Sequence, residues 1–335
     1  MAETESPTEW PVPWEAVEGT QDGVFEHLSY GALRAFMAVF ARMPNSAVNL
    51  SLGAIARLAR RVSKKRSAAA KDFVNQALGP GLSDAELDRR VLQAYRHFFR
   101  IIYETEVMHR HIPFERVRDH FEIEMCDEAR ALAGSGQGCV LISPHVGNWE
   151  AAVVILPHVG FSPLYAVARP PRNKPMSIAA QRQRERFGGR ILHRYGAMKS
   201  LPKILRAGGS VGLLLDQRAR GRCVLAPYFG RPALCDRSVG VLLRRLSAPV
   251  LFLSCTMTDR PFHYRLQITR VIQPETLSGL SPTGVATVVN KGMEELVLQS
   301  PEEYFWIHDR YRDAPLEFAE DWTVEPEALE PFLDS

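Results

Sequence analysis

Residues 138–150 read Gly-Cys-Val-Leu-Ile-Ser-Pro-His-Val-Gly-Asn-Trp-Glu, and within that run His145 and Glu150 are the side chains able to carry a proton. Imidazole titrates near neutral pH, so it suits a group that takes a proton and gives it back. The apolar β-rich run ends at Ser143-Pro144, and proline cannot donate to a sheet. His145 is therefore expected at the carboxyl edge of a strand, where open α/β sheets gather their ligands. On one continuous helix, positions five apart diverge by roughly 140°. The pair converges only if His145 stands on the turn and Glu150 in the opening of a helix capped by Asn148. The carboxylate would then select the imidazole tautomer, and His145 would act as general base toward a hydroxyl. The N–H groups at the start of that helix would face a developing oxyanion. The same spacing also arises in structural turns, where the histidine only packs.

A covalent route is disfavoured. No Gly-x-Ser-x-Gly elbow occurs, Ser143 lies two residues before His145 across a proline, and Cys139 sits inside an apolar run where a core role is expected. The five cysteines (Cys126, Cys139, Cys223, Cys235, Cys255) form no Cys-x-x-Cys pair, which argues against a disulfide framework and a zinc ribbon and points to a reducing compartment. His109-Arg110-His111 with His120 lacks a cysteine partner and reads as a basic surface turn. No metal and no cofactor is expected.

These residues need a frame. Short β-rich runs at 139–143, 164–168, 211–215, 249–256 and 264–271 alternate with helical stretches near 148–156, 175–186, 201–207, 238–246 and 282–299. Such alternation predicts an α/β fold with a central, mostly parallel mixed sheet flanked by helices. Ahead of it, residues 25–61 carry apolar residues at helical spacing, broken at Met43-Pro44-Asn45, which predicts two amphipathic helices. The second runs into Arg57, Arg60, Arg61, Lys64, Lys65, Arg66 and Lys71, an apolar face beside a basic cluster that suits either a membrane interface or a helical hairpin packed on the domain with a solvated charged end. A further helix pair is expected over 83–108, with Ser83 as cap. The expected organisation is an extended acidic arm (1–24), a helical membrane-associating region (25–120), an α/β domain (121–313) and an acidic tail (314–335).

The chain has 335 residues, 46% hydrophobic and 24% charged, the balance of a folded globular protein. The net charge of +3 hides an asymmetry: residues 1–18 hold five acids, residues 314–335 hold seven, and neither stretch has a base. The residues between carry 41 basic against 26 acidic side chains, a balance of +15 that favours phosphate-rich or acidic partners. No run of roughly 18 apolar residues offers a spanning helix. No basic, apolar leader opens the sequence, so export is not expected.

The run Leu-Ile-Ser-Pro-His-Val-Gly-Asn-Trp-Glu resembles the first motif of the lysophospholipid acyltransferase superfamily, and within it the late acyltransferases of lipid A biosynthesis. The resemblance continues through 165–175 (Tyr-Ala-Val-Ala-Arg-Pro-Pro-Arg-Asn-Lys-Pro), 209–218, 226–233 and the Trp-Ile-His-Asp-Arg-Tyr-Arg segment at 306–312. It implies transfer of a fatty acyl chain from acyl carrier protein, or from coenzyme A, to a hydroxyl of a phosphorylated glycolipid. It also implies a peripheral position on the cytoplasmic face of the inner membrane. By position, His145 matches the family's base and Glu150 its partner. Arg169 matches an arginine that engages acceptor phosphate, with Asn173 in the same loop. Asp216 and Gln217 match an Asp-Gln pair beside the site, and Arg231 belongs to the glycine-containing turn after it. Leu234-Cys235-Asp236-Arg237 departs from the small hydroxyl residues usual there, and 218–222 is unusually basic, which leaves the acceptor more open than the reaction. Two alternatives stand: a different lipid acceptor, or a member that binds lipid without turnover. A nucleic-acid-binding protein would want a recognisable module with interleaved aromatic and basic residues, and none is present.

Overall fold

A computed structural model describes residues 20–169 and 171–333, so most of the expected acidic arm lies outside the described residues. Four helices come first: α1 (Val24–Phe40), α2 (Asn45–Val62), α3 (Lys64–Leu78) and α4 (Asp84–His111). The break between α1 and α2 falls where the sequence placed it, with Pro44 as the cap of α2. Two expectations are corrected. The basic run 64–71 does not prolong α2 but opens α3. The pair expected over 83–108 is one 28-residue helix, α4. No glycine or proline interrupts 84–111, Ser83 accepts from the Glu86 N–H at 3.2 Å, and His109, Arg110 and His111 lie at its negative end.

The remaining chain alternates β1 (Phe121–Met125), α5 (Asp127–Leu132), β2 (Val140–Ser143), α6 (Trp149–Ile155), β3 (Leu164–Ala168), α7 (Lys174–Glu185), β4 (Gly189–His193), α8 (Arg194–Arg206) and β5 (Ser210–Leu214). A hairpin of β6 (Cys223–Tyr228) and β7 (Arg231–Asp236) follows, then α9 (Arg237–Arg245), β8 (Val250–Met257), β9 (Tyr264–Ile272), α10 (Pro274–Ser278) and α11 (Pro282–Gln299). Seven strands form one sheet in the order β1-β9-β8-β2-β5-β3-β4. β8 and β9 run antiparallel and the other neighbouring pairs are parallel, the mixed, mostly parallel sheet the alternation predicts.

Period-two alternation sorts the side chains of each strand between two cores. Val140 and Ile142 face a core shared with α3, α8, α9 and α11, whereas Cys139 and Leu141 face one shared with α4, α5 and α6. β8 is buried along nearly its whole length, as a central strand covered on both faces must be. α3 and α4 contribute Phe73, Val74, Val91 and Tyr95 to the first core, so they pack as part of the same hydrophobic body as the sheet. The acidic segment after residue 313 also folds back: Ala328 and Phe332 are buried, and a Glu325 carboxylate oxygen accepts from the Ser281 N–H at 3.0 Å. None of the described helices is long and apolar enough to cross a membrane.

Candidate active site

Parallel pairing of β2 with β5 sets Ser143 beside Leu214. Two residues further along each chain, at the carboxyl edge of the sheet, that register brings His145 beside Asp216. The imidazole Nδ1 lies 2.6 Å from Asp216 Oδ1, and the His145 backbone N–H donates to Oδ2 at 2.8 Å. Burial works to raise the Asp216 pKa. The charge of the imidazole, the two bonds from His145 and one from the Tyr304 hydroxyl outweigh it and bring the value down to about 2. An ionised carboxylate only accepts, so a proton sits on Nδ1, and Nε2 is the nitrogen at which the ring can offer a lone pair. Gln217 covers that lone pair, its side-chain Nε2 3.2 Å from the ring Nε2. Trp149 and Phe305 stand against the ring at 4.8 and 6.0 Å between centroids.

The carboxylate on the imidazole is thus Asp216, not Glu150. Glu150 sits in the first turn of α6, as expected, but its two oxygens take a bidentate pair from Arg184 of α7, at 2.7 Å from Nε and 2.6 Å from Nη2. Burial raises its pKa, and the guanidinium overrides that and holds it below the usual carboxylate range. The expected convergence fails because a partner across the sheet edge reaches Nδ1 first, whereas a partly buried arginine takes the Glu150 charge.

The loop between His145 and α6 is fastened at nearly every polar group. Phe305 N–H donates to His145 O at 3.0 Å, Gly147 N–H to Glu303 O at 3.2 Å, and Asn148 N–H to Cys255 O at 2.6 Å. His97 Nε2 meets Gly147 O at 2.9 Å, with burial pushing the imidazole pKa down to about 4, so the ring donates as a neutral group. Gly147 has φ 64° and presses on β8, where an added Cβ would lie 2.0 Å from Cys255 O. Asn148 caps α6 by accepting from the Ala151 N–H at 3.1 Å, as the sequence predicts. The N–H groups of Gly147, Asn148 and Ala151 are therefore committed, which leaves those of Trp149 and Glu150 as the first-turn donors of α6 that the oxyanion role expected of this helix start would use.

His145 opens on a cavity of about 550 Å³. It runs along both faces of the sheet edge, past Val153, Leu156, Leu164 and Ile191 on one side and Leu201, Leu213, Leu243 and Val289 on the other. Polar groups gather at its rim: Glu150, Arg169, Arg184, Gln217 and Arg218. Arg169 is exposed there, one residue past β3. Three residues singled out by the sequence are not on this wall: Asp216, buried behind the imidazole, and two that lie further off. Asn173 caps α7, accepting from the Met176 N–H at 2.9 Å, and its amide ties the loop to Glu26 O at 2.9 Å and Ser29 Oγ at 3.1 Å of α1. Arg231 bonds Asp72 of α3 at 2.6 Å and stacks on Tyr311 at 4.4 Å. Both hold the frame of the site.

Sequence reasoning assigned no role to Arg184, His97, Tyr304 or His308. Arg184 hides within the exposed-looking run Gln-Arg-Gln-Arg-Glu, and the others act across tertiary contacts that no spacing reports. Among the described residues no group of His, Cys, Asp and Glu is arranged to hold a metal ion.

Residues 20–313 match the model of a family described as bacterial lipid A biosynthesis acyltransferase. Two curated proteins are similar over 268 residues at 26% identity, covering 78% of this chain and 84% of each relative. They are a lipid A biosynthesis palmitoleoyltransferase of Escherichia coli (strain K12) and a lipid A biosynthesis acyltransferase of Shigella flexneri.

Proposed function

Because the chain belongs to the bacterial lipid A biosynthesis acyltransferase family and is an O-acyltransferase, we propose that it moves a fatty acyl chain from an acyl carrier protein thioester to a hydroxyl of a phosphorylated lipid A precursor, with His145 as the base. The observation that carries this reading is the Asp216–His145 couple, 2.6 Å across, facing a largely apolar cavity of about 550 Å³. Asp216 fixes the proton on Nδ1 and stabilises the imidazolium. The acceptor hydroxyl takes the place of the Gln217 amide and gives its proton to Nε2 as its oxygen attacks the thioester carbonyl. The tetrahedral intermediate then breaks its C–S bond, and the imidazolium returns the proton to the departing thiolate. Arg184, charged and steadied by Glu150, supplies positive potential for the oxyanion. The hydrocarbon arms of the cavity receive the acyl chain.

Arg169 stands exposed at the rim as the phosphate contact, and the exposed Arg220 and Arg222 offer charge to an acidic carrier. The guanidinium of Arg218, in the same basic stretch, instead pairs with Asp313. Peripheral attachment to the cytoplasmic face of the inner membrane is supported by α1, which leaves Phe25, Leu28, Phe36 and Val39 exposed, and by the exposed cations Arg57, Arg61, Lys64, Lys65 and Arg66 at the end of α2 and the start of α3.

The test is incubation of the full chain with a series of acyl carrier protein thioesters and lipid A precursors, read by mass spectrometry. An O-acylated precursor with the wild type, and loss of about a thousandfold or more in His145→Ala, is the expected result. Unchanged transfer by His145→Ala contradicts the assignment. Product only on another membrane lipid would relocate the acceptor.

A further inference from the structure

The turn that carries Asp216 and Gln217 lies beyond the last ladder pair of β5, which ends at Leu214. Something other than the sheet must hold it. The Arg218 backbone N–H donates to His308 Nε2 at 2.8 Å, across 90 residues of chain. The side chain of Arg218 is held from the same segment, by Asp313. Four residues before His308, the Tyr304 hydroxyl bonds the Asp216 carboxylate, and the next backbone N–H, that of Phe305, donates to His145 O at 3.0 Å. Residues 304–308 therefore touch both members of the couple and the turn behind them.

Resting on the reading of His145 as the base, we infer that His308 is a positioning residue for the reaction, whose neutral ring fixes the 216–218 turn so that the Asp216 carboxylate and the Gln217 amide meet the two nitrogens of His145. A ring nitrogen that accepts a backbone N–H carries no proton itself, so His308 works in its neutral form with the proton on Nδ1. Burial favours that form, lowering the pKa to about 4. An exposed histidine would protonate in mild acid, convert Nε2 to a donor and repel the Arg218 N–H.

The role is specific to an acceptor at the reach of Nε2. Glutamine places an amide oxygen at about that reach, asparagine falls short and leucine offers no acceptor. The short Nδ1–H···Asp216 bond should give a far-downfield proton resonance in the full-length protein, and that signal reports the couple without substrate. In the wild type the resonance is expected, and it should vanish in His145→Ala and Asp216→Asn. In His308→Leu it should broaden or move while the melting transition stays cooperative. The kcat for transfer from carrier-protein thioester should fall about thirtyfold with KM for the donor within about twofold, and His308→Gln should recover to within about threefold of wild type. His308→Asn is the second probe should the leucine variant not fold, with the same loss expected. A leucine or asparagine variant with wild-type kcat and an unmoved resonance overturns the inference, as does a loss that glutamine fails to restore in a folded protein. Wild-type transfer by His145→Ala would instead refute the base assignment, leaving the resonance to judge His308 alone.

Discussion

Asp216 and Glu303 both hold the loop that carries His145, Asp216 through its carboxylate and Glu303 through its backbone oxygen on the Gly147 N–H, yet the pKa values of the two carboxyls move in opposite directions. Asp216 is brought down to about 2 by the charge and bonds it receives, against its burial. Glu303 is pushed up to about 7, burial dominating the one bond it accepts from the Met257 N–H at 2.9 Å. The signs give opposite pH behaviour. Asp216 contributes stability at pH values above its ordinary 3.8, lost as pH falls toward 2. Glu303 holds an extra proton in the folded chain between its ordinary 4.5 and about 7, so stability declines as pH rises across that window. Glu303→Gln, which keeps the acceptor and removes the charge, should raise the melting temperature by several degrees at pH 8 and by only about a quarter as much at pH 5; an equal effect at both pH values would contradict this. His145 was legible in the sequence because a proline-terminated apolar run fixes its place at a strand end. Its partner was not, since chain distance favoured Glu150 while strand register, invisible without knowing that β2 lies beside β5, selected Asp216.

At the scale of elements, the Glu150–Arg184 pair clamps α6 to α7 beside the cavity, and both side chains are mostly buried. Removing one charge leaves the other without a counter-ion in a poorly solvated place. Glu150→Gln and Arg184→Met should each destabilise by on the order of 2 kcal/mol in urea unfolding, and the double variant by less than their sum. Strict additivity would show that the pair is not coupled. The five strands read from the sequence recur in the structure, because their apolar runs are continuous or cleanly alternating. Edge strands β1 and β4 went unread: Glu122, Glu124 and Arg190 dilute the pattern where one face meets solvent. The β6–β7 hairpin was read only as a turn, since the Pro227–Pro232 pairing within it runs against strand propensity.

At the scale of the whole molecule, the His145 edge of the sheet and the exposed apolar face of α1 lie on connected parts. The loop after β3, with Arg169 at its start, is stitched to the first turns of α1 by Asn173 and by the Gln21–Asn173 bridge, and Lys174 pairs with Asp22 at 3.3 Å. Asn173, expected to bind substrate, ties that loop to the helix with the apolar outer face. Replacing Phe25, Leu28 and Val39 together by serine touches only exposed side chains. It should leave the melting temperature within a few degrees and reduce sedimentation with phosphatidylglycerol-containing vesicles about tenfold. Undiminished vesicle binding would place the membrane contact elsewhere. Amphipathic spacing made these helices legible; which face stays open depends on packing against α4 and α7, a tertiary property.

The account stands most directly on the rate of acyl transfer by Asp216→Asn at saturating carrier-protein thioester. Asparagine keeps the shape and removes the charge that holds the proton on Nδ1, so a folded enzyme slowed by about a thousandfold or more is predicted. Transfer at the wild-type rate would contradict it, and would show that the imidazole at the sheet edge works without the carboxylate beneath it.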